Sequence, residues 1–404
     1  MPSEAIQISD YNYPLPDERI AWQPLAQREQ SKMLVYRNGE IEDAQFLSIG
    51  KYLPPNTLIV RNNTKVIKAR LIFHKTTGAR IEIFCLEPAH PDFAETFRSK
   101  GSSDWKCLIG NSKRWKEGEL TSTQLVDNAE VTLTATKTAD NTIRFTWNQP
   151  TLDWETVIGA FGKTPLPPYI HRESTDADTT RYQTVFAEHS GSVAAPTAGL
   201  HFTPEIIAQL QAAGIRFEDV MLHTGAGTFL PVKTDNIREH EMHREFISIS
   251  RSTLEAILHN KGPILCVGTT SLRTIESAYW AGVKMIRKSF QAESGLLVDQ
   301  WDPYNADYQN ISVENSITAL IEYLDNIRLE SLSGFTRLMV IPGYDFKMTN
   351  ILLTNFHQPA STLLLLISAF VEGNWKQIYN HALASDYRFL SYGDCCLVEG
   401  RSDV

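Results

Sequence analysis

What this chain of 404 residues has little of narrows its class before any motif is read. Its five cysteines, Cys85, Cys107, Cys266, Cys395 and Cys396, form an odd set without a CxxC pair. That argues against a disulfide framework and against a zinc cage, so a reducing compartment, the cytoplasm, is expected. The longest purely apolar run, Leu363 to Ile367, falls far short of the ~20 residues a membrane helix needs. The opening MPSEAIQISDYNYP has no basic start followed by an apolar core, so no secretory signal is read there. The turn VGTTSLRT carries no GK[ST], so it is not read as a Walker loop and no nucleoside triphosphate is expected there.

Positive charge is scarce too, with 38 Lys and Arg against 47 Asp and Glu and a net charge of -9. A nucleic-acid partner needs basic side chains against its phosphates, but net charge says nothing of local patches. From Arg61 to Arg80 the chain carries Arg61, Lys65, Lys68, Arg70, Lys75 and Arg80 and no acidic residue. A second window, Arg98 to Lys116, holds six basic residues against Asp104 alone. Such runs suit either solvated strand faces or a phosphate-binding surface.

With 42% hydrophobic and 21% charged residues the chain can bury a large core, in two domains or in one with an insertion. There is no internal repeat or low-complexity segment. Lys32 to Tyr36 and Thr57 to Val60 read as early strands. From Val66 to Trp147 the pattern is strongly β, with hairpins around HKTTG and ADN and a long surface loop from His90 to Ser103. Beyond residue 150 helices and strands alternate. Thr203 caps a helix that opens on Pro204 and stops at Gly214, and a Ser-x-x-Glu box at Ser252 and Glu255 opens another. PILCVG reads as a buried strand leading into SLRTIESAYWAG, and helices follow from Ser361 and Trp375. The expected fold is α/β: a large mixed, barrel-like α/β domain from 1–65 and 152–404, with a small all-β barrel domain inserted at 66–151.

Several runs have the composition of sites rather than of cores. GSVAAPTAGLHF, Gly191 to Phe202, combines small residues, a central proline and one imidazole, His201, just before a helix. LHTGAGTFLP ends a strand on His223 and continues into the turn of Gly225, Gly227 and Thr228. VGTTSLRTIESA places Thr269 and Thr270 where a strand enters a helix, whose free N–H groups suit an anion or a ligand hydroxyl. Arg273 and Glu276 share one face of that helix, which suits a surface ion pair equally well. LLTNFHQPAST sets Asn355 and His357 before Pro359, and YRFLSYGD supplies Arg388, Tyr392 and Asp394. In EHEMH, His240 and His243 lack the HExxH order of a zinc protease, so an exposed polar turn is expected and no metal.

In order along the chain, PLPPYI, RYQTVFA, GSVAAPTAGLHFT, LHTGAGTFLPV, EHEMH, VGTTSLRT, PGYDF, TNFHQPASTLL and YRFLSYGD resemble the motif series of the S-adenosylmethionine:tRNA ribosyltransferase-isomerase family of the queuosine pathway. LPDERIAWQPLAQREQSKMLVY and NNTKVIKARL resemble its opening segments. The resemblance runs nearly end to end and is weakest from about residue 90 to 150. It implies a large α/β domain with a small inserted β-barrel. It also implies transfer of the ribosyl part of S-adenosylmethionine to the 7-aminomethyl-7-deazaguanine of tRNA, giving epoxyqueuosine and releasing adenine and methionine.

That reaction sets the site's requirements. A sulfonium acidifies the adjoining ribose carbon, so a modest base forms an ylide; adenine then leaves with a proton or hydrogen bond, and the RNA amine must arrive neutral. On this basis His201 and His223 take the proton tasks, with His357 a third candidate, and Thr269, Thr270 and Arg273 anchor ligand. Pro196, Thr197, Gly199, Gly225, Gly227, Thr228, Glu276, Tyr344, Asn355, Arg388, Tyr392 and Asp394 complete the expected substrate site. Arg61, Lys65, Lys68 and Arg70 are expected on tRNA. S-adenosylmethionine is a consumed substrate, not a cofactor. The partners implied are tRNA and S-adenosylmethionine, with no membrane or protein partner and a monomeric state.

The chain departs from the family's pattern at Lys32, Asn63, Lys65, Asn350, Cys395 and Cys396. Arg to Lys forfeits a two-pronged contact and Asp to Asn a charge, so a paralogue acting on another acceptor is the second reading. A non-catalytic RNA-binding protein is the third, and a metal hydrolase built on His240 and His243 the fourth.

Overall fold

The computed structural model describes residues 6–90, 92–139, 141–225, 232, 234–291 and 295–400. A mixed ten-stranded sheet forms its centre. From edge to edge it runs Leu296–Val298, Ser331–Thr336, Glu245–Ser250, Arg216–His223, Leu58–Asn62, Ile264–Val267, Ile351–Asn355, Cys395–Glu399, Lys32–Arg37 and Glu40–Gln45. The four middle strands, from Arg216–His223 to Ile351–Asn355, are mutually parallel.

Side chains alternate between the faces of a strand, and both faces here are buried. Leu58, Val60 and Cys266 enter one hydrophobic cluster, while Ile59, Leu265 and Val267 enter the other. That is why Leu58 to Val60, Ile264 to Val267 and Ile351 to Leu353 read as continuous apolar runs, whereas the strand Arg216–His223, partly exposed from Arg216 to Asp219, does not. The first face is covered by the 19-residue helix Gly268–Ile286, which packs across all four middle strands. The second is closed by Phe46, Phe202 and the helix Pro204–Ala212. The helix ends follow local chemistry: Thr203 accepts from the Ile206 N–H, Pro204 takes the first position, and Gly214 turns the chain out at φ +82°.

A second, seven-stranded sheet is built from residues 70–163, in the order Gly162–Lys163, Arg70–His74, Arg80–Pro88, Ser102–Gly110, Thr142–Trp147, Ala129–Ala139 and Leu120–Val126. Both expected hairpins are there, Arg70–His74 with Arg80–Pro88 and Ala129–Ala139 with Thr142–Trp147. The sheet curls until Arg70–His74 lies against Leu120–Val126. It encloses its own cluster, which includes Trp105, Phe145 and Trp154. The helix Trp154–Phe161 packs into this cluster through Trp154, Val157 and Ile158, so the unit continues past residue 151.

Two sequence expectations are corrected. The polar stretch from His90 to Ser103 is not a plain loop: Phe93–Arg98 is a helix whose cap, Asp92, accepts from the Glu95 N–H at 2.9 Å. Phe93 and Phe97, one turn apart, are its buried face. The helix expected to open at Ser252 is Arg251–Leu258, capped by Ser250, whose hydroxyl accepts from the Thr253 N–H at 3.0 Å. Glu255 pairs with Arg251 instead.

Helix Gly268–Ile286 meets the helix Val313–Ile327 at Gly282, where an added Cβ would fall far inside contact distance of the Ser316 carbonyl and hydroxyl. Backbone cannot yield as a flexible side chain does. Gly282→Ala is expected to destabilise the protein by about 1–3 kcal/mol, read as a lowered urea midpoint with unchanged slope. An unchanged midpoint would show that this helix pair is loosely packed.

Candidate active site

The parallel strands end on one side of the sheet, and the chain leaves them as Thr224, Gly268 and the Asn355–Gln358 segment. Ligands of open α/β sheets lie outside such carboxyl ends. Here these segments enclose a cleft together with Ala194–Ala198, Tyr169, Ser361 and Leu390–Ser391. Its enclosed part measures about 110 Å³, room for roughly nine water-sized groups.

The two glycine-containing runs are stitched together beside the cleft. Ser192 Oγ accepts from the Thr224 N–H at 3.0 Å and donates to the Ala194 carbonyl at 2.6 Å, and the Val193 N–H donates to the Thr224 carbonyl. Gly191 lies against the His223 ring, where a Cβ would come within 2.6 Å of Cε1 and Nε2. Thr197 reaches across to donate to Asn355 Oδ1 at 2.7 Å, joining the first run to the fourth. Tyr169 accepts from the Ser391 N–H at 3.0 Å and donates to its hydroxyl, and burial pushes its phenol up to about 12. Two cleft residues, Thr224 and Thr270, have buried hydroxyls with no hydrogen-bond partner among the described residues.

Of the expected residues, the cleft brings together Pro196, Thr197, Thr269, Thr270, Asn355 and His357. His357 is the one expected catalytic histidine in its wall. Its Nε2 lies 2.9 Å from Thr354 Oγ1, and desolvation lowers its pKa to about 4. His201 is packed elsewhere, 5.3 Å from the Phe46 ring, and its Nε2 has no partner among the described residues. Burial, then the charges of Arg388 and Arg28 against a backbone hydrogen bond, holds it at about 4. His223 packs on Phe93 at 4.7 Å and Phe246 at 5.6 Å, which also touch each other at 5.0 Å, with Nδ1 2.8 Å from Thr64 Oγ1. Burial, aided by His189, holds it at about 3.

Other expected residues hold the fold. Gly199 is small because Phe186 and Thr184 press on it, with Phe186 Cζ 2.6 Å from where a Cβ would sit. Arg273 and Glu276 do not form the surface ion pair their spacing suggested. Arg273 is buried against Glu245 and donates to the Leu338 carbonyl at 3.2 Å. Glu276 is wholly buried and accepts from the Tyr344 hydroxyl, the N–H groups of Lys347, Met348 and Thr349, and the Thr349 hydroxyl. Burial pushes its carboxyl up, opposed by these donors. Tyr344 also accepts from Trp280 Nε1 at 2.7 Å. Asp394 ties the Arg388 and Lys32 N–H groups at 2.8 and 3.1 Å and pairs with the Arg388 guanidinium. Tyr392 donates to Asp178, itself gripped by Arg172. Gly225 lines no described cavity wall, and Gly227 and Thr228 lie outside the described residues.

Sequence reasoning missed Tyr169, Thr224, Gly268, Thr354, Gln358, Ser361 and Ser391 in the cleft. Each sits inside a run already singled out, but no local signal separates a wall residue from a neighbour. None of the six departures lines the cleft. Asn350, for one, accepts from the Ile264 N–H at 2.8 Å, a bond an aspartate would make equally. Among the described residues no three His, Cys, Asp or Glu side chains come together as a metal site, and no helix is long and apolar enough to cross a membrane.

A family model described as "Queuosine biosynthesis protein" matches residues 8–398. An S-adenosylmethionine:tRNA ribosyltransferase-isomerase of Nitrosomonas eutropha is 38% identical, over 98% of this chain and 99% of that one. The protein of the same description from Azoarcus is 36% identical over 97% of each. A crystal structure described as S-adenosylmethionine tRNA ribosyltransferase from Thermotoga maritima is 27% identical, covers 96% of this chain and 100% of that one, and has a TM-score of 0.46.

The three buried imidazoles set a pH dependence. Unfolded, each takes a proton near pH ~6.5; folded, none does until about pH 3 to 4. Between these values the unfolded chain binds more protons, so stability falls as pH drops from ~6.5 toward 4, while above ~6.5 the imidazoles contribute no slope. Urea midpoints are expected to decline steadily across that window. A profile flat from pH 7 to 5 would mean the histidines are not held neutral.

Proposed function

Because the chain belongs to the queuosine biosynthesis protein family, we propose that it transfers the ribosyl group of S-adenosylmethionine to the 7-aminomethyl-7-deazaguanine of tRNA and isomerises it, releasing adenine and methionine. The observation that carries the placement of this chemistry is the cleft itself: His357, Asn355 and the two unpartnered hydroxyls of Thr224 and Thr270 converge at the strand ends. Buried hydroxyls without partners are costly until an acceptor or donor reaches them, and a ribose supplies both. The departures from the family pattern lie outside this cleft, which supports the reading over a paralogue with another acceptor.

His357 is the base of this reading. The Thr354 hydroxyl is directed at the Asn355 carbonyl, 3.4 Å away, so its oxygen accepts from Nε2–H and leaves Nδ1 with its lone pair. Burial keeps the ring neutral, as a base near pH 7 must be. His223 and His201 take supporting places, His223 as the aromatic contact between the small sheet, through Phe93, and the cleft segment at Thr224.

The small unit expected at 66–151, here continued to Lys163, is taken as a domain inserted in the larger one. Its RNA-binding part is the groove lined by Arg70, Arg80, Lys163 and Arg172 with Glu82 and Glu173. This groove is bounded by Pro167, Pro168 and Ile170, which flank the cleft residue Tyr169. A strand lying in it reaches the cleft directly. The ion pairs of Arg80 and Lys163 there, at 3.4 to 3.7 Å and half exposed, are weak enough for phosphates to displace. Of the four cations expected on tRNA, Arg70 belongs to this groove. Arg61 is held by Asp219 between Phe186 and Phe217 and is not offered to RNA.

Incubation with S-adenosylmethionine and tRNA carrying the aminomethyl deazaguanine is expected to release adenine and add the ribosyl-derived mass to the nucleoside. His357→Gln should lower that rate by ~10²-fold or more; full activity would remove His357 from the chemistry, and adenine without tRNA modification would favour the paralogue. Arg80→Ala and Lys163→Ala should each weaken tRNA binding and flatten its log–log salt dependence by about 0.7–0.9, with S-adenosylmethionine affinity unchanged. An unaltered salt slope would move the RNA surface elsewhere.

A further inference from the structure

Helix Gly268–Ile286 carries the cleft wall inward. Thr269 lines the cleft, and Arg273, four residues on, lies on the same helix face about 6 Å further along the axis. The Arg273 side chain is only 6% exposed. Nε donates to the Leu338 carbonyl and Nη1 to Glu245, but Nη2 has no hydrogen-bond partner among the described residues. A guanidinium nitrogen buried in that way is unfavourable until an acceptor reaches it, and a carboxylate is its best match. Arg273 lines a cavity of about 40 Å³ with Met242, His243, Glu245, Leu338 and Leu363, room for roughly three water-sized groups. Leu363 is also part of the cleft wall, so the cavity and the cleft share a side chain.

We propose that this cavity receives the carboxylate of the amino-acid arm of S-adenosylmethionine, bound by Arg273 Nη2, while the sulfonium and ribose occupy the cleft. Three carbons separate sulfur from the carboxyl carbon, a span on the order of the helix rise, about 6 Å, that separates Thr269 from Arg273. Met242, Leu338 and Leu363 give those methylenes an apolar wall. Glu245 fixes the guanidinium through Nη1 and leaves Nη2 as the nitrogen open to a new acceptor. The proposal rests on the reading of the cleft given above.

The test needs no variant at first. Isothermal titration of the wild-type protein with S-adenosylmethionine and with its decarboxylated analogue, which lacks only the carboxylate, is expected to show the analogue binding roughly ten- to a hundredfold more weakly. Arg273→Lys, which keeps the charge beside Glu245 but loses the fork, should bring S-adenosylmethionine toward the analogue's affinity and leave the analogue's own unchanged. Equal affinity of the two ligands for the wild type would overturn the subsite while leaving the cleft reading intact, and the cavity would then be a water site. Equal weakening of both ligands by Arg273→Lys would overturn it also, as a structural effect. Binding of neither ligand would overturn the cleft reading itself.

Discussion

Three parallel strands, Leu58–Asn62, Ile264–Val267 and Ile351–Asn355, are buried on both faces and leave nowhere along their length for an unpaired polar group. Leu58 to Val60, Ile264 to Val267 and Ile351 to Leu353 are apolar or nearly so because each side chain meets either helix Gly268–Ile286 or the layer of Phe46, Phe202 and helix Pro204–Ala212. Polar chemistry is therefore displaced to the strand ends. There the chain must also satisfy its own backbone, and it does so with short side chains: Ser192 serves Ala194 and Thr224, and Asn62 accepts from the Thr64 and Leu222 N–H groups. What these bonds leave over, the hydroxyls of Thr224 and Thr270, belongs to residues that line the cleft, as does His357.

Buried charge on helix Gly268–Ile286 does a second job. Glu276 gathers five donors and thereby fixes the turn from Tyr344 to Thr349 against the helix, which in turn sets where the strand Ile351–Asn355 begins. Arg273, one turn nearer the cleft, pairs with Glu245 on a strand beyond the helix. A buried pair of this sort adds little net stability, yet removing one member leaves the other charged and unsolvated. The helix is thus held in register by two carboxylates, one at each level, and the threonines at its start are positioned as a consequence.

The small sheet is not independent of this arrangement. Phe93, from the helix hidden in its polar connection, packs on His223, and His223 packs on Phe246 of the large sheet. Gly191 exists to let that ring in. A histidine that looked like chemistry in the sequence is here a contact between the two sheets, placed directly before Thr224, which does face the cleft. The basic groove of the small sheet and the cleft are likewise joined by one segment, in which Leu166, Pro167, Pro168 and Ile170 line the groove and Tyr169 lines the cleft.

The sequence by itself determined the α/β class, both β-hairpins, most helix starts and the runs that enclose the site, because each rests on local physics: periodicity, capping and turn chemistry act within a few residues. The family followed from the order of those runs. It did not separate His357 from His201 and His223, since all three stand in similar company and differ in what distant segments bring to them: Phe46 on one, Phe93 and Phe246 on another, while His357, bonded to the neighbouring Thr354 hydroxyl, stands in the wall of a cleft. Nor did it tell that Arg273 and Glu276, three apart on one helix, turn away from each other to partners at Glu245 and at Tyr344 to Thr349. Burial is a property of the assembled layers, and a charge or an imidazole takes its role from the acceptors and rings that the tertiary fold brings within 3 to 5 Å of it.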